Sequence, residues 1–227
     1  AIVAILSYVQ VAKRSAQPLL KLEIFKNPVF TYSFFAYVSL QFCNIGINFA
    51  LPNYAQIVVG AGSLIGGLML LPGSLITAVC QPWFGHLLDA HGARLPILLG
   101  NSLFVLAALG FTLMGQHLSV IIIAVLYIVF SIGRSMAFSN TMTNGLKEVT
   151  IQQRADANAI YNTGQQFAGS LGTTILAALM SSVKNGQMSY AHETAVGSQL
   201  AFGLILVLGL LNFILYTIVF RYQTTDK

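Results

Sequence analysis

Charge is what this chain has least of. Only 7% of its 227 residues are Asp, Glu, Lys or Arg, and only six are acidic. Tryptophan occurs once, cysteine twice and histidine four times. Each scarcity excludes something. A soluble domain carries about a quarter of its residues as charges; here 56% are hydrophobic instead. Cys43 and Cys80 lie in separate apolar stretches without metal-ligand spacing, and read as unpaired small hydrophobes. His86, His91, His117 and His192 fall in loops or at the ends of apolar runs, none spaced with another ligand. No metal or cofactor is therefore expected. No Walker loop, HExxH or Ser/His/Asp set is present, so an enzyme is not expected either. The net charge of +5 does not point to nucleic acid, because Lys and Arg in so apolar a chain mark cytoplasmic loops.

What the chain does have is long apolar runs. Stretches of about 20 residues recur, each long enough to cross a hydrocarbon core of about 30 Å. A β-barrel would show short alternating segments instead. The expected class is an all-α polytopic membrane protein with the lipid bilayer as its solvent. Spans are predicted at about 29–51, 63–82, 95–114, 118–140, 159–183 and 199–220. Ala1–Val11 is apolar but too short to span, and reads as the end of a helix whose beginning is missing. Residues 12–27 read as a basic linker, with Pro28 opening the first span, and 28–227 as a six-helix unit of a longer protein.

Local signals add detail. Pro52-Asn53 is expected to end the first span, and Pro72-Gly73 to kink or thin the second. Gly62, Gly66 and Gly67, and the stripe Gly164, Ala168 and Gly172, suit close helix approach. Thr150-Ile151-Gln152-Gln153 fits a capping box. Lys13, Arg14, Lys21, Lys26, Arg94, Lys147, Arg154, Arg221 and Lys227 fall on one side of the spans and Lys184 on the other. By the positive-inside rule the first set is cytoplasmic, with both ends of the six-helix unit inside. Trp83, Tyr54, Tyr190 and Tyr222 fall where an interfacial aromatic belt would lie.

Polar residues inside the spans are the candidate sites. Tyr37, Gln41, Asn44 and Asn48 are spaced four, three and four, which puts them on one helical face. Asn158, Asn162, Gln165 and Gly169 form a weaker face on the fifth span. Both faces suit either a water-filled path or interhelical hydrogen bonding. Arg134 is the only charge deep in a predicted span. Placing Arg at the bilayer centre costs about 2.5–3.5 kcal/mol on insertion scales, so it faces protein or water, or else snorkels to the cytoplasmic end. The acidic residues Glu23, Asp89, Glu148, Asp156, Glu193 and Asp226 all lie outside the predicted membrane core.

The remaining feature is the hairpin Gly85-His86-Leu87-Leu88-Asp89-Ala90-His91-Gly92-Ala93-Arg94, predicted as a polar loop after a helix ending near Pro82-Trp83. Gly85 permits close helix approach, and Gly92 can supply a positive-φ turn. Asp89 can meet a helix N-terminus or Arg94. These contacts suit a conformational latch or simply a tight turn. The pattern G-x-L-x-D-x-x-G-x-R, carried by Gly85, Leu87, Asp89, Gly92 and Arg94, resembles the signature loop of the major facilitator superfamily. Each six-span half of that fold has this loop between its second and third helices. Leu70-Leu71-Pro72-Gly73-Ser74 and the run Gln165 to Gly172 resemble the fourteen-span drug:proton antiporter branch. The resemblance covers residues 28–220 and matches the C-terminal half, with Ala90 and Ala93 standing where the stronger loop has basic residues. It implies secondary transport by alternating access, with a missing N-terminal half as partner and a small amphipathic substrate. It also implies protons as the coupling ion, their carboxylate lying in the missing half, and a bacterial cytoplasmic membrane location. Gly85, Asp89, Gly92 and Arg94 would then form the switch loop, and Tyr37, Gln41, Asn44, Asn48, Arg134 and Gln165 the cavity. A specific metabolite carrier of the same fold, and a membrane assembly or sensor module without transport, are the alternatives.

Overall fold

The first long helix, α1, runs Pro28–Ile57 and is begun by its own sequence: Pro28 sits in the first turn, and the Asn27 side chain accepts from the Phe30 N–H at 3.1 Å. The computed structural model of the chain describes residues 22–183 and 188–225. The apolar stub, most of the basic linker, Lys184 and Lys227 lie outside them. Ahead of α1 is a 3-10 turn, Leu22–Lys26. After it come α2 (Ser63–Leu68), α3 (Leu71–His91), α4 (Arg94–Leu113), α5 (Val120–Lys147), α6 (Arg154–Ser181) and α7 (Tyr190–Thr225). There is no strand among the described residues.

Among the described residues five segments are long and apolar enough to cross a membrane: α1, α2 with α3, α4, α5 and α7. Helix α6 is as long as α5, at 28 residues, but its sequence is rich in Asn, Gln, Thr and Gly. The protein is an integral membrane helical bundle. Helix α1 is central and packs against α5, α6 and α7; α4 packs on α5 and α7, and α3 mainly on α5. The main core joins α1, α4, α5 and α7 through Leu40, Ile47, Tyr54, Phe104, Phe111, Phe130 and Phe202.

Small residues set the closest approaches. Gly100 on α4 and Gly133 on α5 pack backbone to backbone: a Cβ on Gly133 would lie 2.6 Å from the Gly100 carbonyl oxygen. The predicted stripe on α6 meets α1, Gly164 against the Phe34 ring and Gly172 against the Phe42 backbone carbonyl, with Ala168 buried between them. Of Gly62, Gly66 and Gly67, only Gly66 is packed, against Pro52 on α1; Gly62 and Gly67 have nothing within 4 Å. The capping box is present, Gln153 Oε1 accepting from the Thr150 N–H at 3.2 Å, and it opens the 3-10 turn Ile151–Gln153 ahead of α6.

Several helices outrun the expectation. Pro52 does not end α1, which continues to Ile57, and Pro82 does not end α3, which continues to His91. A proline inside a helix removes one N–H and one acceptor contact; around Pro52 the buried Ala50, Leu51, Tyr54 and Ala55 outweigh that loss, and at Pro82 the apolar run of α3 simply continues through it. Near Pro52 the Asn53 side chain donates to the Phe49 carbonyl at 2.8 Å. The stretch from Thr143 to Asn158 is mostly helical, belonging to α5 and α6, and α7 begins at Tyr190 rather than near 199. Pro72 does mark a discontinuity: the second span breaks at Met69-Leu70, and Pro72 lies in the first turn of α3. Of the four aromatic residues read as a belt, Tyr54 is buried and its hydroxyl accepts from the Leu118 N–H at 3.3 Å, whereas Trp83, Tyr190 and Tyr222 are exposed.

Candidate functional site

Four helices converge on a polar cavity of about 480 Å³. Helix α1 supplies Gln41, Asn44 and Asn48; α3 supplies Ser74, Thr77 and Gln81; α6 supplies Gln165. Helix α5 supplies the most: Tyr127, Ser131, Arg134, Ser135, Phe138 and Ser139. No acidic residue lines it.

The walls are tied together by hydrogen bonds within and between helices. Tyr127 Oη donates to Asn48 Oδ1 at 2.8 Å, and Asn48 Nδ2 donates to the Asn44 carbonyl at 2.8 Å. Ser135 Oγ donates to Gln81 Oε1 at 2.8 Å, and Gln81 Nε2 donates to Ser139 Oγ at 2.7 Å, linking α3 to α5. Close approach of these two helices is set by Gly73, where a Cβ would lie 2.7 Å from both Ser131 Oγ and the Tyr127 ring.

Arg134 is the cavity's only fixed charge. Its guanidinium carbon lies 5.3 Å from the centre of the Phe138 ring, within cation–π range. Phe138 in turn stacks on Tyr37, centroids 4.0 Å apart and planes 18° apart. The Arg134 Nε is buried without a hydrogen-bond partner, and among the described residues no carboxylate lies in ion-pair range of the side chain. Arg134 therefore lies along the cavity wall.

The structure brings Gln41, Asn44, Asn48, Arg134 and Gln165 together on one cavity. Tyr37 is different: it is 1% exposed, and stands behind the wall as a support. Of the weaker face on α6, Asn158 and Asn162 are exposed, Gly169 is buried against Ile45 and only Gln165 reaches the cavity. The residues missed from sequence had a signal. Tyr127, Ser131, Ser135 and Ser139 recur every four positions, as good a helical stripe as the one read on α1. Ser74, Thr77 and Gln81 repeat the pattern on α3.

The hairpin differs most from its expectation. Gly85 and Asp89 lie inside α3 rather than in a loop, and the link to α4 is only Gly92-Ala93. Gly92 does take a positive φ of 73°, a conformation that favours glycine. Asp89 is exposed and makes no ion pair with Arg94. Gly85 has nothing within 4 Å, so no close helix approach is made there. The same holds for the helix as a whole: in the apolar window of α2–α3 only 17% of the residues are buried, against 44% in α4 and in α5.

A hairpin of this pattern after α3, with a polar cavity walled by α1, α3, α5 and α6, agrees with the comparison by family. The family model of the Major Facilitator Superfamily matches residues 5–173. The chain belongs to the major facilitator superfamily. It is 34% identical over 181 residues to the lincomycin resistance protein LmrB of Listeria innocua, covering 80% of this chain and 38% of the relative. It is 28% identical over 216 residues to the uncharacterized MFS-type transporter YcnB of Bacillus subtilis, covering 94% of this chain and 46% of the relative. Similarity to the multidrug resistance protein Stp of Mycobacterium tuberculosis is 24% over 189 residues, covering 83% and 35%. The chain thus spans less than half the length of these curated superfamily relatives.

Proposed function

We propose that this chain is the C-terminal six-helix half of a secondary transporter that exports drugs or other amphipathic small molecules. The observation that carries the reading is the half-cavity around Arg134, walled on α1, α3, α5 and α6 by amides, hydroxyls and one unpaired cation. A polar recess at membrane depth is costly unless water or a ligand fills it. The resistance proteins among the relatives support export of a drug-like substrate. The second half of the carrier closes the cavity from the side where α3 is bare, and the substrate sits between the halves near the midplane.

The mechanism is alternating access. Gly85 is the site where a helix of the other half packs closely in one of the two packings, and Asp89 and Arg94 exchange partners between them. The tight Gly92-Ala93 link makes α3 and α4 move as one unit. No carboxylate faces this half of the cavity, so the proton-binding Asp or Glu belongs to the other half. The end bearing Arg94, Lys147, Arg154 and Arg221 is cytoplasmic, in a bacterial cytoplasmic membrane.

The test is a resistance and efflux assay on the full-length protein in a host stripped of its own exporters. Energised efflux of lincosamides or lipophilic dyes, abolished by a protonophore, is the expected result. Uptake of a single metabolite with no efflux would replace this reading with that of a specific carrier. A full-length protein that moves no solute would make it an assembly or sensor module.

A further inference from the structure

Away from the central cavity, the cation-rich end of the bundle holds a second recess of about 540 Å³. His91 at the end of α3, Arg94 at the start of α4 and Lys147 at the end of α5 line it. Its one carboxylate, Glu148, is engaged: Gln223 Nε2 donates to Glu148 Oε1 at 2.9 Å. The same Gln223 amide donates to Asn144 Oδ1 at 3.1 Å. Asn144, 3% exposed, also lines the recess, and its Nδ2 donor has no hydrogen-bond partner. A buried donor is rarely left unmatched, so a recess with an orphan amide donor and clustered cations suits an oxyanion.

The recess does not end at the hairpin. Arg94, Phe220 and Thr224 also line a groove between α4 and α7, with Leu98 and Arg221 along it. Leu98 on α4 lines the groove, and α7 above it is exposed and apolar at Ile214 and Leu211. An anion held at Arg94 therefore has an apolar track beside it, running toward the middle of the membrane. A free phosphate has no use for such a track; a phospholipid has.

We propose that this recess is a binding site for the phosphate headgroup of an anionic phospholipid. Arg94, Lys147 and the Asn144 amide contact the phosphate, and the acyl chains lie in the groove between α4 and α7. The bound lipid ties the hairpin to the end of α7.

The test is binding of fluorescent phosphatidylglycerol to the detergent-purified full-length protein. Unlabelled phosphatidylglycerol should displace it, while phosphatidylcholine and inorganic phosphate at the same concentration should not. Each cation near an anionic headgroup is worth about 1 kcal/mol, or about fivefold in affinity. Arg94→Gln and Lys147→Gln should each weaken binding about fivefold, Arg94→Lys should largely retain it, and Lys26→Gln, at the exposed Lys26–Glu23 pair, should leave it unchanged. Thr224→Glu adds an anion at the exposed rim at the cost only of the hydrogen bond from Thr224 Oγ1 to the Phe220 carbonyl of its own helix, and should weaken binding if the fold is intact. Unchanged affinity in all three weakening variants overturns the proposal. Displacement by inorganic phosphate as effectively as by lipid overturns it too, and assigns the recess to a soluble anion.

Discussion

The Tyr37 hydroxyl donates to Gln165 Oε1 at 2.6 Å, joining α1 to α6 directly behind the cavity wall. The same ring stacks on Phe138, over which Arg134 lies. One almost fully buried residue thus positions an amide on one side of the cavity and a cation on the other.

Removing the hydroxyl alone tests that linkage. Tyr37→Phe should lower thermal stability in detergent by the equivalent of about 0.6–2 kcal/mol, the range for hydrogen bonds between membrane helices. Gln165→Leu should cost a similar amount. The double variant should be little worse than either single one, because both remove the same bond. Fully additive losses would show that the two residues act separately.

Arg134 separates stability from transport. A cation at membrane depth is a cost to insertion of about 2.5–3.5 kcal/mol, so Arg134→Gln should leave expression and melting temperature equal or higher. Transport by the full-length protein should fall tenfold or more, since a hydrogen bond to a charged group is worth about 1.5–3 kcal/mol. Arg134→Lys should recover part of it, a point charge lacking the planar fork. Unimpaired efflux in Arg134→Gln would mean that the cation is a passive occupant of the wall.

Gly133 and Gly67 are opposite cases. A Cβ on Gly133 would meet the Phe104 nitrogen and the Gly100 oxygen, both backbone atoms that cannot swing aside. Gly133→Ala should destabilise the bundle by about 1–3 kcal/mol. Gly67, helical and with nothing within 4 Å, should accept Ala at no cost to the isolated chain, and with a gain of up to about 1 kcal/mol in helix propensity. Melting curves of the two variants check both signs.

Gly85 and Asp89 bear on the switch. Gly85 has open space around it. Gly85→Leu should therefore leave the secondary structure and melting behaviour of this chain unchanged, while lowering transport by the complete protein severalfold. Asp89→Asn should do the same without adding bulk. Full transport in both variants would reduce the hairpin to a topological turn.

Much of this arrangement was legible in the residues, and the failures have a common cause. Asn44 and Asn48 are conspicuous because amides are rare in apolar helices, so the α1 face could be read from spacing alone. Ser131, Ser135 and Ser139 carry the same period but pass unnoticed, since serines in membrane helices commonly bond back to their own carbonyls, as Ser131 does to Tyr127 at 2.5 Å. Tyr37 shares the period of its stripe yet lies behind the wall: spacing fixes a direction on the helix, and only packing says what fills the space there. Pro52 and Pro82 were read as stops because local propensity favours that, and tertiary contacts along α1 and the continuous apolar run of α3 override it. Gly85 was legible as a place for close helix approach but not as a helical position, and no neighbour within 4 Å fills the space around it.

Helix α6 carries a consequence for how the protein is made. It lacks the apolar length that would drive it into a bilayer alone, yet it holds Gln165 against the cavity and Gly164 and Gly172 against α1. Its entry into the membrane must be cooperative, with α1 offering a prepared groove and α7 following close behind. Biogenesis of the bundle is then an ordered event, in which the seam between α1 and α6 acts as an assembly signal. Substitutions along that seam should surface first as lost protein in the membrane, before any defect in what the protein carries.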